Sequence, residues 1–279
     1  RRHTRYIGDW SSDVCSSDLV KDAGGINNKS ILFLIDLMTR SIYWFYNTIL
    51  VQSPYFKDYI LKQRVSENKI IYYPYYAENF YKVVKPKKEI KSLFGDTLNI
   101  VFAGNIGVAQ SFDTIIDAAI ILKKTLSNFK FIIIGDGRDK KRVVSRINKL
   151  SLSDNFIFLG SYPPTYMSDF FACADALLVS LKDTEIFSLT IPGKLQSYLA
   201  CGKPIIASLN GIGSKIIVES KSGLVSKSED SKGLAESIIK FSNLNDFERK
   251  QYGLNARDYF EKEFERIRLL KRLIDIFEK

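Results

Sequence analysis

From Leu98 onward, short and mainly apolar runs alternate with amphipathic stretches, and this alternation limits the possible architecture more than any other feature. The runs are Leu98–Ala103 (L-N-I-V-F-A) and residues 130–134, 155–159, 176–181, 203–209 and 223–225. Between them lie stretches with helical spacing: 112–126, a charged segment ending at Leu150, one opened by Pro163-Pro164 and ending at Cys173, one beginning at Pro192, then 213–220 and 231–241. A strand that is apolar on both sides must be covered on both faces, as parallel sheets are. Strands alternating with helices form βαβ units with right-handed crossovers. The expectation is an α/β fold with one complete doubly wound, Rossmann-like domain over residues 97–245.

In such a sheet, ligands bind beyond the carboxyl ends of the strands. Four features of the sequence fall there: G-N-I-G at 104–107, G-D-G-R at 135–138, Gly160-Ser161-Tyr162, and T-I-P-G-K at 190–194. Gly104, Gly107, Gly135 and Gly137 permit tight turns and close backbone approach, to a ligand or to the neighbouring loop. The helix that starts at Pro192 and stops at Gly202 places Lys194 in its first turn. A cation there opposes the helix dipole, which suits a bound anion, although a solvated surface lysine fits the same sequence. Neither G-x-G-x-x-G nor G-x-x-x-x-G-K-[ST] occurs, which disfavours a dinucleotide dehydrogenase and a P-loop NTPase. Two separate cations, Arg138 and Lys194, suit a diphosphate held without metal.

The flanks carry less. Residues 1–19 have no helical or strand period and repeat S-S-D, so they are read as non-native and set aside. They contain His3, the one histidine in the 279 residues. Without it, a Ser-His-Asp triad or a His-ligated metal is excluded. Cys15, Cys173 and Cys201 have no metal-ligand spacing, and their odd number argues against a disulfide framework, pointing to a reducing, cytoplasmic setting. Residues 20–81 read as the closing elements of a second α/β domain. A buried helix in 31–51 runs into a strand at 48–52, followed by a helix over 55–63 entered through Ser53-Pro54 and a strand at 69–73. Asp36 and Arg40 interrupt the most apolar region, against a membrane span; an interfacial membrane contact is the lesser reading. Residues 82–96 read as a basic linker. It lacks the interleaved aromatics of a nucleic-acid patch, so the net charge of +10 points to other anionic partners. In 246–279 two helices are expected, with Ile267, Leu270, Ile274 and Phe277 as a core stripe and Arg266, Arg268, Lys271 and Arg272 on the solvated side, where they could also meet anionic lipid.

Several motifs then carry a resemblance. F-A-G-N-I-G (102–107), I-I-G-D-G (133–137), F-L-G-S-Y (158–162), A-D-A-L-L-V (174–179) and Y-L-A-C-G-K-P-I-I-A (198–207) resemble, in order and spacing, glycosyltransferase family 4 of the retaining GT-B type. T-I-P-G-K-L-Q-S-Y resembles the branch that builds bacterial surface polysaccharides, including transferases of N-acetyl-fucosamine-type sugars. The resemblance implies two Rossmann-like domains across a cleft. The second binds a sugar nucleotide, usually UDP-linked, and the first receives an acceptor, here a polyprenyl-diphosphate-linked glycan at the inner face of the plasma membrane. It implies donor contacts from Gly104, Asn105, Gly107, Gln110, Gly135, Asp136, Gly137, Gly160, Tyr162, Ile191, Pro192, Gly193 and Ser197. Arg138 and Lys194 act on the diphosphate, and no cofactor or metal is called for.

The chain departs from the family at instructive places. The two glutamates many members carry fall at Leu189 and Ser197, and the usual phosphate-binding lysine falls at Gln110; Lys194 is the candidate substitute. The leaving phosphate is thought to serve as base in such enzymes, so the missing carboxylate pair is no objection. A complete first domain needs roughly 150 residues, against about 60 before the linker, so the chain is read as a fragment of an enzyme. Two other readings stand beside the transferase: a non-catalytic nucleotide-sugar-binding module, and a sugar-nucleotide epimerase, which would require carboxylates and a histidine that the sequence does not supply.

Overall fold

The computed structural model describes residues 28–278; residues 1–19, with His3 and Cys15, lie outside the described residues, as do 20–27. The apolar runs become six parallel strands: β3 (Leu98–Ala103), β4 (Phe129–Ile134), β5 (Phe156–Gly160), β6 (Ala176–Ser180), β7 (Ile205–Ser208) and β8 (Gly223–Ser226). Their order across the sheet is β5-β4-β3-β6-β7-β8. The winding reverses between β3 and β6, which places the switch point of a doubly wound sheet above these two strands. Alternate residues feed opposite layers. Val101, Ile132, Leu177 and Ile205 enter one core, and Ile100, Phe102, Ile133 and Leu178 the other. Phe102 and Ile100 are fully buried, so truncating Phe102 to alanine would cost about 3–5 kcal/mol.

The helices cover both faces. On one lie α4 (Phe112–Leu122), α5 (Lys140–Lys149) and α10 (Ser231–Ser242); on the other lie α6 (Met167–Cys173), α8 (Gly193–Ala200) and α9 (Gly211–Glu219). A five-residue helix, α7 (Glu185–Leu189), precedes α8. Helix α8 ends where the sequence expects. Gly202 takes φ +61°, the left-handed conformation that stops a helix, and Arg257 donates to the exposed carbonyl of Ala200 at 2.7 Å. Arg257 belongs to α11 (Asp246–Glu263), whose Gly253 lies so close to α8 that a Cβ would stand 2.4 Å from the carbonyl oxygen of Gly202. That approach fixes the crossing of the two helices.

The first lobe holds α1 (Lys29–Phe45), β1 (Ile49–Val51), α2 (Tyr55–Leu61) and β2 (Ile70–Tyr72), with β1 and β2 paired in parallel. Part of the 82–96 segment folds as α3 (Lys88–Phe94), anchored by fully buried Phe94. Two expectations need correction. Helix α1 is not a buried helix: it buries Thr39 and Tyr43, while Phe33, Leu34, Leu37, Met38, Trp44 and Phe45 face outward. An apolar run signals a preference for leaving water, and the described residues satisfy it only on the Thr39–Tyr43 side. The final helix, α12 (Arg266–Phe277), is likewise turned around. Ile267, Leu270, Ile274 and Phe277 are exposed, and Leu269 is the residue it buries. Arg268 and Lys271 are exposed, as expected, whereas Arg266 and Arg272 reach the first lobe. Arg266 pairs with Glu78 at 3.1 Å and lies over the Tyr76 ring, and Arg272 donates to the Tyr72 carbonyl at 2.6 Å. The tyrosine-rich run at 72–76 offers ring faces and carbonyls, and a planar guanidinium satisfies both at once.

Candidate functional site

The loops that leave β3, β4 and β5 are stitched into one rim at the carboxyl edge of the sheet. Gly104 donates to the Ile134 carbonyl at 2.8 Å, Gly135 to Gly160 at 2.8 Å, and Ile106 to Asp136 at 2.8 Å; Asp139 returns a bond to Ile106 at 3.1 Å. Glycine is required for this stitching. Gly135 has φ +138°, and a Cβ there would lie 2.0 Å from the Gly104 oxygen. At Gly137 a Cβ would lie 2.2 Å from the Ile106 oxygen. Both glycines thus bring backbone against backbone, packing the 135–138 turn onto the 104–107 turn. Gly104 itself has φ +137°, whereas at Gly160, φ +79°, a Cβ would meet nothing within 4 Å.

On the 135–138 turn, the Asp136 carboxylate accepts from the Gly137 N–H at 2.8 Å and pairs with Lys140 at 3.0 Å. The Lys140 contact, then the Gly137 N–H, hold its carboxyl below the usual carboxylate range. Arg138 is exposed and makes no hydrogen bond or ion pair among the described residues. Tyr162, partly exposed, stands edge-on to Phe170 with ring centroids 4.6 Å apart.

On the other flank, α8 delivers Lys194 from its first turn. Pro192, extended at ψ 132°, is the residue from which the helix springs, and its carbonyl accepts from Leu195 at 2.8 Å. Ile191 is buried beside it. Tyr198, one turn further along α8, accepts the Ala103 N–H at 3.1 Å and so fixes the helix to the end of β3. Lys194 is 6% exposed, its Nζ donates to Gln110 Oε1 at 2.8 Å, and it lies 4.9 Å from the centre of the Phe102 ring. The aromatic face favours the ammonium, and the Gln110 amide oxygen accepts one of its N–H bonds. Lys194 is therefore not a solvated surface side chain. It is folded against Gln110, on the loop that follows β3.

Ser197 donates to the Lys194 carbonyl at 2.9 Å, which commits its proton and leaves lone pairs to accept. Gln196 turns away from the rim and donates to the Tyr75 carbonyl at 2.8 Å, tying α8 to the first lobe. The two cations are linked through one loop: Arg138 follows the turn packed on Asn105 and Ile106, and Lys194 bonds Gln110 at that loop's other end. Among the described residues, no group of three or more His, Cys, Asp or Glu is placed to hold a metal ion, and no helix is long and apolar enough to cross a membrane.

Comparison with known proteins gives this rim a setting. The family model described as glycosyl transferases group 1 matches residues 84–259, and the chain belongs to that family. An uncharacterized glycosyltransferase of Methanocaldococcus jannaschii is 26% identical over 270 residues, covering 94% of this chain and 66% of its own. A relative in Escherichia coli K12, whose assigned name is that of a colanic acid biosynthesis glycosyltransferase, is 25% identical over 168 residues, 60% of this chain and 41% of its own. The chain thus spans between two-fifths and two-thirds of the length of these curated relatives. Among solved structures, the HepE protein of Anabaena in complex with UDP and glucose superposes with a TM-score of 0.74 at 15% identity, over 92% of this chain and 68% of its own. The architecture is that of the GT-B glycosyltransferases, with the six-stranded sheet as its Rossmann-like domain.

Proposed function

We propose that this member of the glycosyl transferases group 1 family binds a nucleoside-diphosphate sugar, UDP-linked, at the carboxyl rim of its six-stranded sheet. It transfers the sugar, with retention, to a polyprenyl-diphosphate-linked glycan in surface-polysaccharide synthesis. The observation that carries the reading is the Lys194–Gln110 pair, a buried cation held at 2.8 Å from a neutral amide on the loop after β3. A preorganised cation in a dry setting stabilises charge that develops on a departing diphosphate more than a mobile one in water would. Arg138 adds a planar, exposed cation from the neighbouring turn. Gly104, Asn105, Gly107, Gly160 and Tyr162 line the same rim, Gly193 starts the helix that presents Lys194, and Ser197 offers acceptor lone pairs to a ribose hydroxyl. The surface-polysaccharide assignment draws on the T-I-P-G-K-L-Q-S-Y motif and on the Escherichia coli relative.

Membrane contact fits the same reading. The outward apolar face of α1, with Trp44 and Phe45 at its end, suits an interfacial position, and the acceptor is lipid-linked. Cosedimentation with vesicles containing anionic lipid tests it; equal recovery with and without vesicles would remove it. The function itself is tested by calorimetric titration with UDP, then by turnover of UDP-sugars on a polyprenyl-diphosphate-linked acceptor. Saturable UDP binding with sugar transfer is expected. Binding without turnover would favour a non-catalytic module, and no binding of UDP would remove the donor assignment.

A further inference from the structure

A polar cleft of about 450 Å³ is lined among others by Ser111, which follows Gln110, and by Lys182, Glu229 and Ser231. The loop between β8 and α10 contributes Glu229 to this lining, and Glu229 takes φ +58°. A non-glycine residue in this region is held there against its own preference, so the surrounding contacts must over-determine it. Those contacts are specific. The Glu229 carboxylate accepts the Asp183 N–H at 3.0 Å and makes a longer contact, 3.5 Å, with the Ser111 hydroxyl. The same loop grips Asp183 a second way: Ser228 donates to Asn210 Oδ1 at 3.2 Å, and Asn210 Nδ2 donates to the Asp183 carboxylate at 2.9 Å.

Asp183 is where the two halves of the rim meet. Lys182, beside it, donates to the Ala109 carbonyl at 2.9 Å, immediately before Gln110. Thr184, on its other side, caps α7 by accepting the Phe187 N–H at 3.3 Å, and α7 leads directly into α8 and Lys194. Ser111, the second partner of Glu229, immediately follows Gln110 and also has positive φ, +44°. The carboxylate therefore touches both the segment that carries Gln110 and the segment that leads through α7 to Lys194.

We infer that Glu229 is a positioning residue. Without touching the nucleotide, it sets the spacing of the Gln110 and Lys194 segments and through them the grip on the diphosphate. This rests on the donor-site reading above and adds to it a residue some 35 positions downstream of Lys194 with no motif of its own.

Glu229→Gly is the informative variant, because it removes the carboxylate while relieving the positive φ. It is expected to weaken UDP binding about tenfold, as a small misplacement of binding groups does, without lowering the melting temperature. Hydrogen exchange should quicken at residues 107–111 and 182–184 and stay unchanged in the strands. Glu229→Gln keeps an acceptor for Asp183 and a polar partner for Ser111, and should return affinity to within about threefold of the parent chain. Unchanged UDP affinity in Glu229→Gly overturns the inference, as does weakened affinity that comes only with a general fall in melting temperature. If the parent chain binds no nucleoside diphosphate from a panel of UDP, GDP and ADP, the donor-site reading fails first. Exchange at 182–184 then decides whether Glu229 holds these segments, and unchanged exchange there overturns its positioning role as well.

Discussion

Arg138 and Lys194 flank the same loop and are held in opposite ways. Arg138 is exposed on a turn, with no ion pair among the described residues. Lys194 is 6% exposed, bonded to Gln110 and set over Phe102. An exposed guanidinium is screened by salt and must lose side-chain freedom when it binds. A buried ammonium has already lost that freedom on folding and acts through a less polar surround. The difference teaches that two cations of equal charge at one rim need not be equivalent: on the proposed donor-site reading, the buried one would set the geometry of the site and the exposed one would add a contact that depends on conditions.

The hardest test of that contrast is Lys194→Met, which keeps the packing volume and removes the charge. UDP affinity should fall about a hundredfold by calorimetry, the upper range for a lost charge-assisted bond, while stability changes by no more than about 1–2 kcal/mol in urea titration. A loss of stability with affinity retained would make Lys194 a purely structural residue. The exchange variant Gln110→Lys with Lys194→Gln moves the charge across the 2.8 Å bond without removing it. It should recover affinity to within about tenfold of the parent, whereas each single change should not; additive losses would show that the two positions are not one site. Arg138→Ala should cost about tenfold at low ionic strength and progressively less towards about 0.5 M salt, where surface charges are screened. A salt-independent loss at Arg138, equal to that at Lys194, would break the comparison.

The smallest effect belongs to the ion-pair network beneath the rim. Asp113 lies against Arg142 at 2.8 Å and also pairs with Arg146. Hydrogen bonding to Arg142 leads the causes that hold its carboxyl below the usual range. A lowered folded pKa means that the contribution is present above the unfolded value, about 4, and is lost as pH falls through the folded one. Because Asp113 is about half exposed, Asp113→Asn should reduce stability at neutral pH by less than about 1 kcal/mol and flatten the acid limb of the stability curve; an unaltered acid limb would remove that role.

The sheet was legible in the sequence because buried parallel strands leave a pattern that few other structures share, and Gly202 marked the end of α8 by its backbone requirement. The rim was legible as four separate turns, and the switch-point rule placed them at one edge. The burial of Lys194 was not. A lysine in a first helical turn reads as exposed, and only the crossing of α8 over β3, fixed by Tyr198 on Ala103, folds it against Gln110 84 residues away. Glu229 left no local signal for the same reason, since its partners lie 46 and 118 positions off. In α12 the periodicity found the apolar stripe but not which face would be covered. That depended on the tyrosines of 72–76, which accept arginine where a core would accept Ile267 and Phe277.

The proposed donor site requires two unlike cations to share one diphosphate, and a crystal structure of the chain soaked with UDP tests this directly. The expected result places phosphate oxygens within hydrogen-bonding distance of both Lys194 Nζ and the Arg138 guanidinium, with Gln110 displaced from or bridging to the ammonium. A nucleotide bound elsewhere, or one whose phosphates meet Arg138 while Lys194 stays on Gln110 without touching them, would contradict it.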